Sequence, residues 1–172
     1  LLTATLGQGW QENYIIWDMC CGVGNLELSH SNPRNLFMST LDQADVTIMK
    51  SNPAFAGAEI FQYDYLNDDV TDFGEIDYAR SDKVPQALRQ AIADAREGKK
   101  GAKPILVLIN PPYAEAMNVE SRKETGGSAA AVKKGVAKTR ISYSMTDLSY
   151  AARELFVQFL HRIMTELPMA KL

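Results

Sequence analysis

At 172 residues, 46% apolar and 23% charged, the chain has the size and composition of one soluble globular domain with one core. A net charge of −3 and a pI near 5.4 exclude a chain that is basic throughout, the usual mark of a classical nucleic-acid binder, but leave room for a local basic surface. No apolar run approaches the roughly 20 residues that span a bilayer, and Leu1 to Trp10 holds no leader-like segment, so no membrane partner is expected.

The first element is Tyr14-Ile15-Ile16-Trp17, a short run of β-formers closed by Asp18. A glycine-bearing turn, Cys20 to Gly24, leads into Asn25-Leu26-Glu27-Leu28, so strand, tight loop and short helix are expected. Asn35 to Leu41 reads as a second strand. Asp42 after it can cap a helix from Gln43 to about Lys50. Ala58 to Tyr63 is a third strand, and the acidic stretch Asn67 to Asp82 is irregular. Pro85 to Glu97 predicts a helix with Leu88, Ile92 and Ala95 on one face and Gly98 past its end. Pro104 to Ile109 has the unbroken apolar pattern of a strand buried on both faces, ending at Asn110-Pro111-Pro112-Tyr113. Residues 114–147 form a long basic loop, the kind that is usually functional or mobile in a compact domain. Ser149 to Leu167 is an amphipathic helix closed by Pro168.

This alternation implies an α/β fold: a mostly parallel sheet with helices on both faces. Four strands are visible where a full Rossmann-like sheet has six or seven. With no Met before Leu1-Leu2-Thr3 and an abrupt end at Leu172, the chain is read as a single catalytic domain, residues 1–172, cut from a longer protein. Cys20 and Cys21 are adjacent, which gives neither a metal-ligand set nor a disulfide framework; no metal is expected, and the setting is read as reducing and cytoplasmic.

Two segments carry chemistry. In Asp18-Met19-Cys20-Cys21-Gly22-Val23-Gly24-Asn25-Leu26-Glu27, Gly22 and Gly24 let backbone approach a ligand at a strand end, and Asp18 can accept from a ligand ammonium or hydroxyl. A third glycine at dinucleotide spacing and a Gly-Lys-Ser/Thr are both missing, so dinucleotide and P-loop readings are weak. Alone, the segment is as readily an ordinary tight turn. In Asn110-Pro111-Pro112-Tyr113 the prolines stiffen the chain, so that the Asn110 side chain and the Pro111 carbonyl offer two fixed acceptors with Tyr113 as a neighbouring ring. Alone, this segment reads as a rigid turn.

Together and in this order, the two segments resemble the amino-directed S-adenosylmethionine-dependent DNA methyltransferases of the restriction-modification kind, over about Tyr14 to Leu160. The resemblance implies a Rossmann-like methyltransferase fold that transfers methyl to the 6-amino group of adenine in DNA. It implies that Asp18, Cys20, Gly22 and Gly24 hold the methionine part of S-adenosylmethionine. Asp42 would take the ribose hydroxyls, although Thr40 stands where the family often has a first acid. Asp64 would accept from the cofactor's adenine amine, with Tyr65 against that ring. Asn110, Pro111, Pro112 and Tyr113 would hold the flipped target base. Met19 stands where proline is common.

Transfer would be direct and in line, with no covalent enzyme intermediate, so the cysteines are read as packing residues. Lys133, Lys134, Lys138 and Arg140 in the basic loop would contact phosphates, a role that competes with that of a solvated loop. Sequence recognition would belong to a domain outside this chain. Alternatives are a methyltransferase acting on protein glutamine or RNA amines, which shares the Asn-Pro-Pro-Tyr pattern, and a cofactor-binding but inactive module. The cytosine-directed class usually has Ser in place of Asn110 and ranks lower.

Overall fold

The computed structural model describes residues 2–78, 82–116 and 138–171. It forms two compact units: residues 1–65, 81–110 and 167–172 make the first, and residues 66–80 and 111–166 the second.

The first unit is built on a four-stranded, all-parallel sheet. Helices α1 (Leu2–Leu6) and α2 (Trp10–Asn13) precede β1 (Ile15–Asp18); β2 (Leu36–Thr40), α3 (Gln43–Ser51), β3 (Glu59–Gln62), α4 (Gln86–Arg96) and β4 (Ile105–Val107) follow. The strand order is β3-β2-β1-β4. Ile16 lies opposite both Leu36 and Leu106, and Trp17 opposite both Phe37 and Val107. Because successive strand residues face opposite ways, each strand feeds two cores. On one face, Ile16, Leu36, Met38, Ile60 and Leu106 pack with Val46 and Met49 of α3 and with Phe55. Trp17 belongs to the other face, where Tyr65 meets its indole edge-on at 5.5 Å. Leu88 and Ile92 of α4, which packs against β4, are buried as the helical spacing predicts. Side chains such as Ile16 and Leu36, fully buried, contribute about 1.5–3 kcal/mol each. The backbone of Lys171 pairs with Ile105 and Val107, covering the outer edge of β4.

Most expected elements agree with the structure to within a residue or two. Asp42 does cap α3, its side chain accepting from the Ala44 N–H at 2.8 Å. Two elements differ. Residues 22–29 form successive turns rather than a helix: Gly24 N–H bonds to Cys21 C=O, Glu27 N–H to Gly24 C=O, and His30 N–H to Glu27 C=O. Gly22 and Gly24 hold φ of +54° and +81°, which breaks helical propagation. The last helix, α5, runs Leu155–Glu166 instead of starting at Ser149. Residues 146–153 are 3₁₀ turns interrupted by Ser149 at φ +47°. The Arg153 carbonyl and the Leu155 N–H bond instead to the extended segment 114–116, so long-range pairing overrides the amphipathic pattern.

That pairing organises the second unit. Its interior also holds an ion pair: Arg162 Nε reaches Glu166 Oε2 at 3.1 Å, both side chains fully buried, while Arg162 Nη1 donates to the Asp68 carbonyl at 2.9 Å. The α5 residue Gln158 accepts from Thr139 at 2.6 Å and donates to the Ala152 carbonyl at 2.7 Å. No helix among the described residues is long and apolar enough to cross a membrane.

Removing one partner of a buried pair strands the other's charge, so Arg162→Met is expected to lower the unfolding free energy by about 3–5 kcal/mol. The double change Arg162→Met/Glu166→Leu should recover a good part of that loss. Urea denaturation of the two variants checks this; a single variant as stable as the parent would show that the pair does not hold the unit together.

Candidate functional site at the carboxyl edge of the sheet

In an open parallel sheet all strands end on one edge, and ligands bind where the strand order reverses. Here the chain runs from β1 outward through β2 to β3, then returns to place β4 on the other side of β1. The reversal therefore lies between β1 and β4. Asp18 ends β1, and Asn110 follows β4 by three residues. Asp42 follows β2 and Asp64 follows β3, so four of the expected site residues share this edge.

Asp18 is 1% exposed, and its Oδ1 accepts from the Cys20 N–H at 2.8 Å. The turn beyond it is fixed to β2, since Cys21 N–H bonds to the Ser39 carbonyl at 3.0 Å. Ser39 itself is fully buried, accepting from Trp17 Nε1 and donating to the Asp18 carbonyl. Its alternation position in an otherwise apolar strand was the only sequence signal for this anchor.

The two glycines have different reasons. A Cβ at Gly22 would enter open space. One at Gly24 would come within 2.6 Å of the Phe55 ring and 2.7 Å of the Met38 methyl, so Gly24 is demanded by the protein's own packing.

Cys20 is half-buried and Cys21 buried. Burial and the nearby Asp18 carboxylate push the Cys20 thiol up to about 12, opposed by a bond from the Asn110 backbone to its sulfur. The same two causes, burial first, push the Cys21 thiol up. Both remain thiols at neutral pH, which suits packing and not nucleophilic attack. The Asn110 contact brings the two chemistry-bearing segments, about 90 residues apart in sequence, together at the reversal point.

Glu27 is the residue that sequence reasoning did not single out. It is 2% exposed, and both carboxyl oxygens are buried without a hydrogen-bond donor among the described residues. Burial foremost, and then the charge of Asp18, push its pKa from an ordinary 4.5 up to about 9; burial also raises that of Asp18. The two carboxyls lie within bonding reach of each other.

Asp42 is exposed, and one of its oxygens is engaged in capping α3. Asp64 is half-buried. Tyr65 is 2% exposed, its ring edge-on to Trp17.

In the second unit, Pro111 is half-buried, Pro112 is exposed, and Tyr113 is 82% exposed with its ring 6.3 Å from that of Phe156. The Lys138 ammonium lies 3.8 Å from the Tyr143 ring centre. Arg140 is engaged with protein acceptors, the Val70 carbonyl at 3.3 Å and Asp72 at 3.6 Å. Lys133 and Lys134 lie outside the described residues. Lys138, Tyr143 and Arg153 help line a cavity of about 370 Å³ that the sequence did not suggest.

No protein-family model matches the chain, and neither any curated protein nor any solved structure is significantly similar to it.

The carboxyl pair links stability to pH. A carboxyl whose folded pKa is raised stabilises the fold at low pH and loses that contribution as pH rises through the folded value. The parent chain is therefore expected to lose stability as pH rises from about 4.5 to about 9 more steeply than Glu27→Gln does. Thermal unfolding of both across that window checks this. Parallel pH profiles would mean that Glu27 is ionised in the folded chain.

Proposed function

We propose that the chain is the catalytic part of an S-adenosylmethionine-dependent methyltransferase acting on the 6-amino group of adenine in DNA. The observation that carries this reading is the meeting of Asp18, Cys20 and Asn110 at the reversal between β1 and β4. The family pattern requires its cofactor segment and its target-amine segment to meet there.

The residues present fit the cofactor better than a dinucleotide. A pyrophosphate is bound by a helix N-terminus and its free N–H groups. Residues 22–29 form turns instead, and two buried carboxyls sit beside them. An acidic turn of this kind repels phosphate and favours a ligand that carries an ammonium and a sulfonium. A Cβ at Gly22 would meet no atom within 4 Å, so the turn backbone can be approached there. Asp42 retains one oxygen for ribose hydroxyls, and Asp64 stands at the next strand end.

When bound, the sulfonium supplies an activated methyl group. The protein's task is to make a poor nucleophile attack it. An aromatic amine delocalises its lone pair into the ring. The Asn110 side-chain oxygen and the Pro111 carbonyl would accept the two amine hydrogens, favouring a pyramidal nitrogen with its lone pair free. Pro111 and Pro112 limit backbone motion around these acceptors. Tyr113, exposed in its own unit, provides a plane on which a flipped base could stack. Positioning and electrostatics supply the rate. Asn110, in place of Ser, favours adenine over cytosine within the family pattern.

The test is transfer of labelled methyl from S-adenosylmethionine to DNA, RNA and protein acceptors by the full-length protein. Labelling of adenine in DNA is expected, with Asn110→Ala reducing kcat by roughly 10²–10³ and leaving cofactor affinity near that of the parent. Labelling of protein but not DNA would replace the substrate reading, and full activity in Asn110→Ala would remove the mechanism.

A further inference from the structure

The function above gives no role to the cavity of the second unit. Its volume of about 370 Å³ is within the size range of small-molecule sites. The chain as a whole is acidic, yet among the described residues no carboxylate lines this cavity. Lys138 and Arg153 bring two positive charges to it, and Thr146 and Ser149 bring hydroxyls that have no hydrogen-bond partner among the described residues. Neither cation is paired with an acid. Each lies over an aromatic ring instead, Lys138 Nζ 3.8 Å from the centre of the Tyr143 ring and the Arg153 guanidinium 4.6 Å from that of Tyr150. A ring steadies a cation without occupying its N–H donors. Glu115 and Glu154 line a smaller hollow that Arg153 also borders, but no ion pair joins either of them to it.

The two cations sit on separate stretches of chain, and one buried amide ties those stretches together. Gln158 of α5 is 0% exposed. Its Oε1 accepts from Thr139, which follows Lys138, and its Nε2 donates to the carbonyl of Ala152, which precedes Arg153. The Arg153 carbonyl in turn accepts from the Ala116 N–H at 2.7 Å. Ser149, on the cavity wall, holds φ +47° and ψ −118°, a conformation that a residue other than glycine keeps only where its surroundings impose it. The charges are thus placed by the fold of the unit.

We propose that this cavity binds a small phosphate monoester, with Lys138 and Arg153 on the phosphate oxygens. The charge count selects the class. A monoester carries about −1.5 to −2 near neutral pH on three free oxygens, whereas a phosphate within a nucleic-acid strand carries a single charge. Two cations match the first and overbalance the second. Arginine offers a planar fork to two oxygens and lysine a point charge to the third. The site lies within the second unit and does not depend on what binds at the strand ends of the first.

Calorimetric titration of the chain with glycerol 3-phosphate at pH 7.5 tests this. A dissociation constant below about 1 mM is expected, with glycerol not binding and the singly charged dimethyl phosphate binding at least about tenfold more weakly. Lys138→Gln and Arg153→Gln, both at exposed positions, should each weaken glycerol 3-phosphate about tenfold. Lys100→Gln, exposed in the first unit, should bind like the parent. The comparison of ligands needs no variant. No binding by the parent at about 10 mM, or unchanged binding in the double variant Lys138→Gln/Arg153→Gln, would overturn the proposal. So would dimethyl phosphate binding as tightly as the monoester. An oligonucleotide without terminal phosphates that displaces glycerol 3-phosphate and binds more tightly would also overturn it, since the site would then serve a strand's backbone.

Discussion

β1 is hydrogen-bonded on both sides, to β2 and to β4, and buried on both faces. That single constraint shapes the rest of the first unit. The chain turns sharply just past the end of β1, where Gly24 N–H bonds to the Cys21 carbonyl. The two positive-φ glycines make the exit possible, and the buried Ser39 fastens it to β2. The ladder to β4 continues past the strand itself, with Leu108 N–H bonded to the Trp17 carbonyl at 3.2 Å. This brings Asn110 to the same place. The carboxyl edge is a consequence of how the sheet is paired, since Asp18, Asp42, Asp64 and Asn110 each lie within three residues of a strand end.

The electrostatics of that edge are lopsided. Asp18, Glu27, Asp42 and Asp64 contribute acids, and the first two are withdrawn from water. Two buried carboxyls with no cationic partner are costly in a ligand-free protein and become favourable once a cation arrives. The proposed preference for an ammonium-bearing ligand at this position rests on that asymmetry.

Much of the fold was legible in the sequence. The apolar runs at Ile15–Asp18 and Ile105–Val107, the Asp42 cap and the spacing of Leu88 and Ile92 are local signals, and the structure follows them. The misreadings came where non-local contacts prevail. Asn25 to Leu28 carries helix-compatible residues, yet glycine conformation holds it in turns. Ser149 to Glu154 keeps a helical polarity pattern, yet its end is drawn into pairing with residues 114–116. At the site, Asp18 and Asn110 could be named from motif order alone. Glu27 could not, because a glutamate two residues after an exposed asparagine looks like surface, and only the close packing of the turn reveals that it is buried. The burial of Tyr65 against Trp17 was likewise not legible, since that contact joins residues 48 positions apart.

The account stands or falls on what binds at the reversal between β1 and β4. A crystal structure of the chain with S-adenosylhomocysteine tests this most directly. The expected result is the ligand's amino-acid part at the turn of residues 20–24, beside Asp18, and its ribose at Asp42. A ligand lodged elsewhere, such as in the cavity beside Lys138 and Arg153, with the carboxyl edge untouched, would contradict it.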